Sequence, residues 1–163
     1  MADGPVPWAE AAWPTLLAAL GAKDNHQRAF AAQLLARLAI SAPARALEDL
    51  PAIAALLRDP RTVTARLTVQ SIWRIGLAGP KHARRAADAL ALRFHDCAGD
   101  KTADAIRLDI MISLGRLGAA LTGEARAELD ATAARLIDSE ADPGVQFKQR
   151  AALRKGQKLP STP

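Results

Sequence analysis

The sequence predicts an all-α chain, folded as a short α-α superhelix of about four helix pairs, and three observations lead there. Half of the 163 residues are hydrophobic, yet only three Trp and three Phe are aromatic. Alanine and leucine supply most of the rest, and these lose little or no side-chain entropy in a helix. Apolar residues recur at helical spacing, and no alternating strand pattern of useful length is present. Finally, the chain repeats itself. QRAFAAQLLARLA (27–39), TARLTVQSIWRIG (64–76) and IRLDIMISLGRLG (106–118) align without gaps, with starts 37 and 42 residues apart, a spacing expected of helix-pair repeats.

Taken in chain order, residues 1–7 carry Asp3 and no apolar run, so they read as a disordered segment and not as a signal peptide. Residues 8–20 form a first apolar helix, Asp24-Asn25 a turn, and 27–39 the second helix of the pair. The pattern returns as 44–57, Asp59-Pro60 and 64–76, and again as 81–94, Asp100-Lys101 and 106–118. Asp and Asn suit these turns because their side chains accept hydrogen bonds from the free N–H groups of a helix start. Residues 124–137, Asp142-Pro143 and 145–156 make a fourth unit of looser register, as terminal repeats often are. The repeat domain thus spans 8–156, and 157–163 is expected to be a flexible basic tail.

Counting the first residue of each repeated segment as zero, position +8 is Leu35, Ile72, Leu114 and position +11 is Leu38, Ile75, Leu117. Position +12 is small throughout: Ala39, Gly76, Gly118. At about 100° per residue these positions share one face, the core face of an amphipathic helix. With its Asp-Pro turns and its V-R-x-x-A-A-x-A-L-G-x-L-G-like helices, the chain resembles the HEAT repeat family in its short bacterial and archaeal form. LLRDPRTVTARLTVQSIWRIG (56–76) and IRLDIMISLGRLG (106–118) carry the resemblance best. The arginine of that pattern is present as Arg28 and Arg107 but is Ala65 in the second unit, with Arg66 beside it. The resemblance implies a stack of helix pairs whose second helices line a concave side. It does not imply one activity, since the family includes scaffolds, adaptors, lyase subunits and DNA-repair enzymes.

Position +10 points about 200° from +8, away from the core. It is arginine in each clear unit: Arg37, Arg74 and Arg116. Positions +3 and +6 share that side, giving the stripes Phe30–Gln33–Arg37, Leu67–Gln70–Arg74 and Asp109–Ile112–Arg116. On the plainer account these arginines suit helix C-terminal ends, and Phe30, Leu67 and Ile112 are lateral packing between repeats. On the other account they form a mixed apolar and arginine groove, a composition enriched at protein interfaces. The expected binding residues are then Phe30, Arg37, Leu67, Gln70, Arg74, Ile112 and Arg116, facing a protein or peptide partner in a non-enzymatic scaffold. Trp73 reads as core with its N–H at the rim, and Trp8 and Trp13 as caps of the open first repeat.

Charge lies in blocks. Residues 61–93 carry seven basic side chains against Asp88 alone, whereas 94–143 carry five basic and ten acidic ones. Residues 144–163 carry Lys148, Arg150, Arg154, Lys155 and Lys158 and no acid. The alternative reading is therefore a nucleic-acid binder using 61–93 and the C-terminal tail, opposed by the acidic block between them.

Catalysis finds little footing. His95-Asp96-Cys97 is the only local cluster of reactive types, and His26 and His82 are the only other histidines, so no metal set of usual spacing is present. No cofactor motif occurs. Alkylpurine DNA glycosylases built of HEAT-like repeats use Asp, Arg and Trp in the groove, and Asp109, Arg116 and Trp73 match these by type and helix. The chain has fewer repeats than wrapping a duplex needs, so a glycosylase-like or lyase-subunit role ranks below binding. Charge interrupts every apolar stretch, which excludes a membrane span. The single Cys97 fits a reducing cytoplasm.

Overall fold

The computed structural model describes residues 4–159; the expectations for residues 1–3 and 160–163 lie outside them. Among the described residues there are nine α-helices, three short 3-10 segments and no strand. α1 is Ala9–Ala19, α2 Asn25–Leu38, α3 Pro43–Glu48, α4 Leu50–Ala55, α5 Thr62–Ile72, α6 Pro80–Asp96, α7 Ala103–Ala120, α8 Gly123–Asp138 and α9 Pro143–Lys158. No described helix is long and apolar enough to cross a membrane.

Two expected helices are modified, each for a local reason. The segment 44–57 is split into α3, α4 and a 3-10 turn, Leu56–Arg58. Pro51 sits in the first turn of α4, where its missing N–H is harmless; inside one continuous helix it would remove a bond and clash with the preceding turn. The segment 64–76 is α-helical only to Ile72 and then tightens to a 3-10 segment, Trp73–Ala78. Here the Thr68 hydroxyl donates to the Thr64 carbonyl at 2.9 Å and the Ser71 hydroxyl to Leu67 O at 2.9 Å. Such back-bonding competes with the helical ladder and bends it. Gly79, at φ 146°, then turns the chain into α6, which starts on Pro80.

The Asp turns divide into two kinds. Asp24 caps α2 through the N–H of His26, and Asp142 caps α9 through that of Gly144. Asp59 also accepts from a backbone N–H two residues on, that of Arg61, but it and Asp100 lie further ahead of their helices and take arginine side chains as well, Arg28 and Arg93. At the N-terminus, Val6 N–H donates to Ser41 Oγ at 3.0 Å. Trp13 is wholly buried, its indole N–H donating to Asp49 Oδ2 at 2.8 Å, whereas Trp8 is exposed.

Packing follows the repeat. The second helix of each unit rests on the next, α2 on α5, α5 on α7 and α7 on α9, while α6 contacts α8 in the other row. The aligned core positions Leu35, Ile72, Leu114, Ile75 and Leu117 are all fully buried, with Leu38 nearly so, in one continuous apolar cluster. Arginines tie successive units: Arg28 to Asp59, Arg66 to Asp109 and Arg107 to Glu140. Two hydroxyls add to the seams, Thr64 donating to Asn25 O at 3.1 Å and Ser113 to Val69 O at 2.8 Å.

Candidate functional site

The second-helix row positions the expected binding residues, and Trp73 is the centre of those that converge. Trp73 is fully buried and its Nε1–H donates to the Gln70 carbonyl at 3.0 Å. The Arg74 guanidinium lies 4.7 Å from the indole centroid, and that of Arg116, from the adjacent α7, lies 5.4 Å from it. Two cations of neighbouring repeats therefore share one aromatic ring, whose negative faces attract them. Arg116 is half-buried, and its Nε is buried with no hydrogen-bond partner among the described residues. Gln70, Arg74 and Arg116 thus form one group.

The remaining expected residues are placed less uniformly. Phe30 is 61 % exposed on α2, and Arg37, half-buried, follows it two turns later on the same face. Leu67 is half-buried on α5. Ile112 belongs to a helix crossing: a Cβ built on Gly156 of α9 would fall well inside contact distance of the Ile112 carbonyl oxygen, and one on Gly115 inside that of Leu153 O. Its backbone is therefore under α9.

The glycosylase-like set does not remain free for chemistry. Asp109 is buried and gripped by Arg66 through Nε at 2.7 Å and Nη2 at 3.3 Å. Cys97 is buried, its thiol pushed up by desolvation and turned to the Phe94 carbonyl at 3.4 Å. A thiol kept protonated in this way is a poor nucleophile. Among the described residues no group of three His, Cys, Asp or Glu is arranged to hold a metal.

The basic block 61–93 does not make one face. Arg66 is spent on Asp109, Arg74 lies on Trp73, and Lys81, Arg84, Arg85 and Arg93 stand on α6 in the first-helix row. There Arg84 pairs with Glu128, and Arg93 with Asp96 and Asp100.

Charge segregates by row of helices and not by position in the chain. The second helices, with the 3-10 extension of α5, hold eleven cations: Arg28, Arg37, Arg66, Arg74, Arg107, Arg116 and five on α9. Their only acids are Asp104 and Asp109. The first helices, with the turn Leu56–Arg58, hold eight cations and eight acids. Eight of the ten acids in 94–143 lie on α6, on α8 or in turns, and only Asp104 and Asp109 lie in the second-helix row. The helix boundaries carried this signal, because a tally taken over alternate helices separates what a contiguous window averages.

A shallow cleft of about 470 Å³ lies where the second unit lacks its arginine, beside Ala65, with Asp59, Arg93 and Asp100 among its walls. In the flanking units Arg28 and Arg107 reach the acid of the next turn; here Arg93 reaches Asp100 from α6 instead. Comparison with protein-family models, with curated proteins and with solved structures finds no match to this chain.

Proposed function

We propose that the chain is a non-enzymatic binding module of HEAT-like repeats, an α-α superhelix whose second-helix row receives an acidic segment of a partner protein. The observation that carries this reading is the segregation of charge, eleven cations against two acids in one row and balance in the other, with Arg28, Arg66, Arg107 and Arg150 of the eleven already in ion pairs. The succession α2, α5, α7, α9 supports a superhelical stack with these helices along one side. Arg74 and Arg116 are already held over the Trp73 ring, so little further ordering is required when their planar forks meet a carboxylate. Phe30 offers an exposed apolar ring on α2, and Arg37 lies on the same face of that helix two turns on. Arginine and aromatic side chains together are the composition of interface hot spots.

The test uses a fluorescein-labelled glutamate-rich peptide with apolar residues every third or fourth position, and its lysine-rich counterpart as control. The glutamate peptide should bind and the lysine peptide should not. Arg37→Ala, Arg74→Ala and Arg116→Ala combined should weaken binding at least about tenfold, as expected for truncating interface arginines, with helicity preserved. Arg37→Glu alone should weaken it as well. Equal affinity for parent and both variants would sink the groove.

A further inference from the structure

A second surface, separate from the arginine group on Trp73, is carried by α9. Among the described residues this helix is the last of the second-helix row, packed against α7 and α8. Gln149, Ala152 and Gly156 are buried, with Gly156 against the α7 backbone at Ile112. Arg150 reaches Asp138 and Gln146 reaches Glu140 O on the α8 side. Opposite α7 stand Phe147, Ala151, Arg154 and Lys158, all exposed and spaced four, three and four residues apart, which keeps them within a stripe about 60° wide. Lys148 and Lys155, also exposed, flank it on the side away from α8. From Pro143 to Lys158 there is no acid, and Phe147 is 67 % exposed.

The chemistry of this face selects its occupant. A second copy of α9 would set like charges against each other. The first helix of another copy offers only Glu10, already beside Arg45. A lipid surface requires a broad apolar face for a helix to sink into, and here a single aromatic ring stands among cations. An acidic peptide would meet the cations but brings a flat ring to Phe147 only where it carries an aromatic residue, whereas every nucleotide brings one. Single-stranded nucleic acid meets both, since its phosphates pair with cations through counterion release and its bases stack on aromatic rings. From Lys148 to Lys158 the helix rises about 15 Å, the length of about four stacked nucleotides at ~3.4 Å each.

We propose that the open face of α9 binds single-stranded nucleic acid, with Phe147 stacking on a base and Lys148, Arg154, Lys155 and Lys158 following the phosphates. The full chain is titrated against a fluorescein-labelled twelve-residue oligothymidylate by anisotropy. Binding should weaken with salt at a log–log slope near −3, about −0.7 for each of four cations. Arg154→Glu with Lys158→Glu should lose at least about tenfold in affinity, and Phe147→Ala roughly fivefold or more, the lower end of base–aromatic stacking. Should the charge reversal disturb folding, Phe147→Ala decides alone, since this exposed ring contributes nothing to the core. Variants at Arg37, Arg74 and Arg116 should leave oligonucleotide binding intact, which separates this face from the peptide groove. The assignment is overturned by absence of binding at low salt, by equal binding of Phe147→Ala, or by equally effective competition from polyglutamate or anionic phosphatidylserine vesicles at matched charge.

Discussion

The seam between α2 and α5 and the seam between α7 and α9 do the same work by different means. At the first, side chains span the gap: Thr64 donates to Asn25 O, and Arg28 reaches over to Asp59, the turn acid of the following unit. At the second, Arg107 reaches Glu140 in the same way, but the backbones themselves also approach. Gly115 lies under Leu153 O and Gly156 under Ile112 O, leaving no room for a Cβ on either. A seam made by long polar side chains tolerates adjustment, because arginine can re-aim along its flexible stem. A seam made by backbone contact tolerates almost none, since close-packed interiors transmit a displacement to everything behind it.

Gly156→Ala gives the largest expected effect. Helix propensity alone favours the change by up to about 1 kcal/mol. The new methyl would overlap the Ile112 carbonyl, however, and overpacking against an immovable group costs about 1–3 kcal/mol or more. Since the obstacle is backbone, the upper part of that range applies and the sum is destabilising by about 2 kcal/mol. Urea unfolding monitored by circular dichroism measures it. A variant as stable as the parent, or more so, would mean that α9 rests on side chains after all and that the two seams are alike.

Much of the first seam was legible in the sequence and little of the second. Leu35, Ile72 and Leu114 repeat in register, so their burial followed from helical periodicity alone. Arg28 and Arg107 were visible as a repeated position, but their partners were not, because Asp59 and Glu140 lie 31 and 33 residues on, in turns read as caps. Gly156 stood in a unit of degenerate register, where nothing distinguishes a glycine that ends a helix from one that admits a neighbour. Of the candidate site, the arginine stripe was readable from the wheel. The sharing of Trp73 between Arg74 and Arg116 was not, since it depends on how far α7 is shifted along α5. Charge segregation was hidden for a different reason: alternate helices belong to different rows, so any contiguous block mixes the two.

Between the two seams lies one where the side-chain device is incomplete, and this provides the next test. Ala65 occupies the place of Arg28 and Arg107, and Arg93 reaches Asp100 from α6. In the parent, Arg93→Ala should destabilise the fold, because it strips a buried side chain from its ion pairs with Asp96 and Asp100. In the Ala65→Arg background the same change should be better tolerated, the new guanidinium entering the cleft and taking over Asp100. A double-mutant cycle should give a coupling of about 0.5–3 kcal/mol between positions 65 and 93. Strict additivity would show that Arg93 holds α6 for its own sake and is no substitute for the missing arginine.

The smallest effect is a dependence on acid. Asp59 is held below the usual carboxylate range, first by its hydrogen bond from Arg28, at 2.7 Å, and further by the Arg61 N–H at 2.8 Å. A carboxylate whose folded pKa is depressed contributes stability that is present above its unfolded pKa, about 3.9, and is lost as pH falls through the folded value. The Arg28–Asp59 tie therefore weakens in acid, whereas the backbone contacts at Gly115 and Gly156, which the second seam has beside its own Arg107–Glu140 pair, hold no titratable group. Urea midpoints measured from pH 6 to pH 2 for the parent and for Asp59→Asn should differ most at pH 6 and converge toward pH 2, because protonation makes the native aspartic acid resemble the amide. Other acids titrate equally in both proteins and cancel in the difference. If the two curves run parallel throughout, Asp59 is not the group through which Arg28 joins the first unit to the second, and the contrast between the seams loses its electrostatic half.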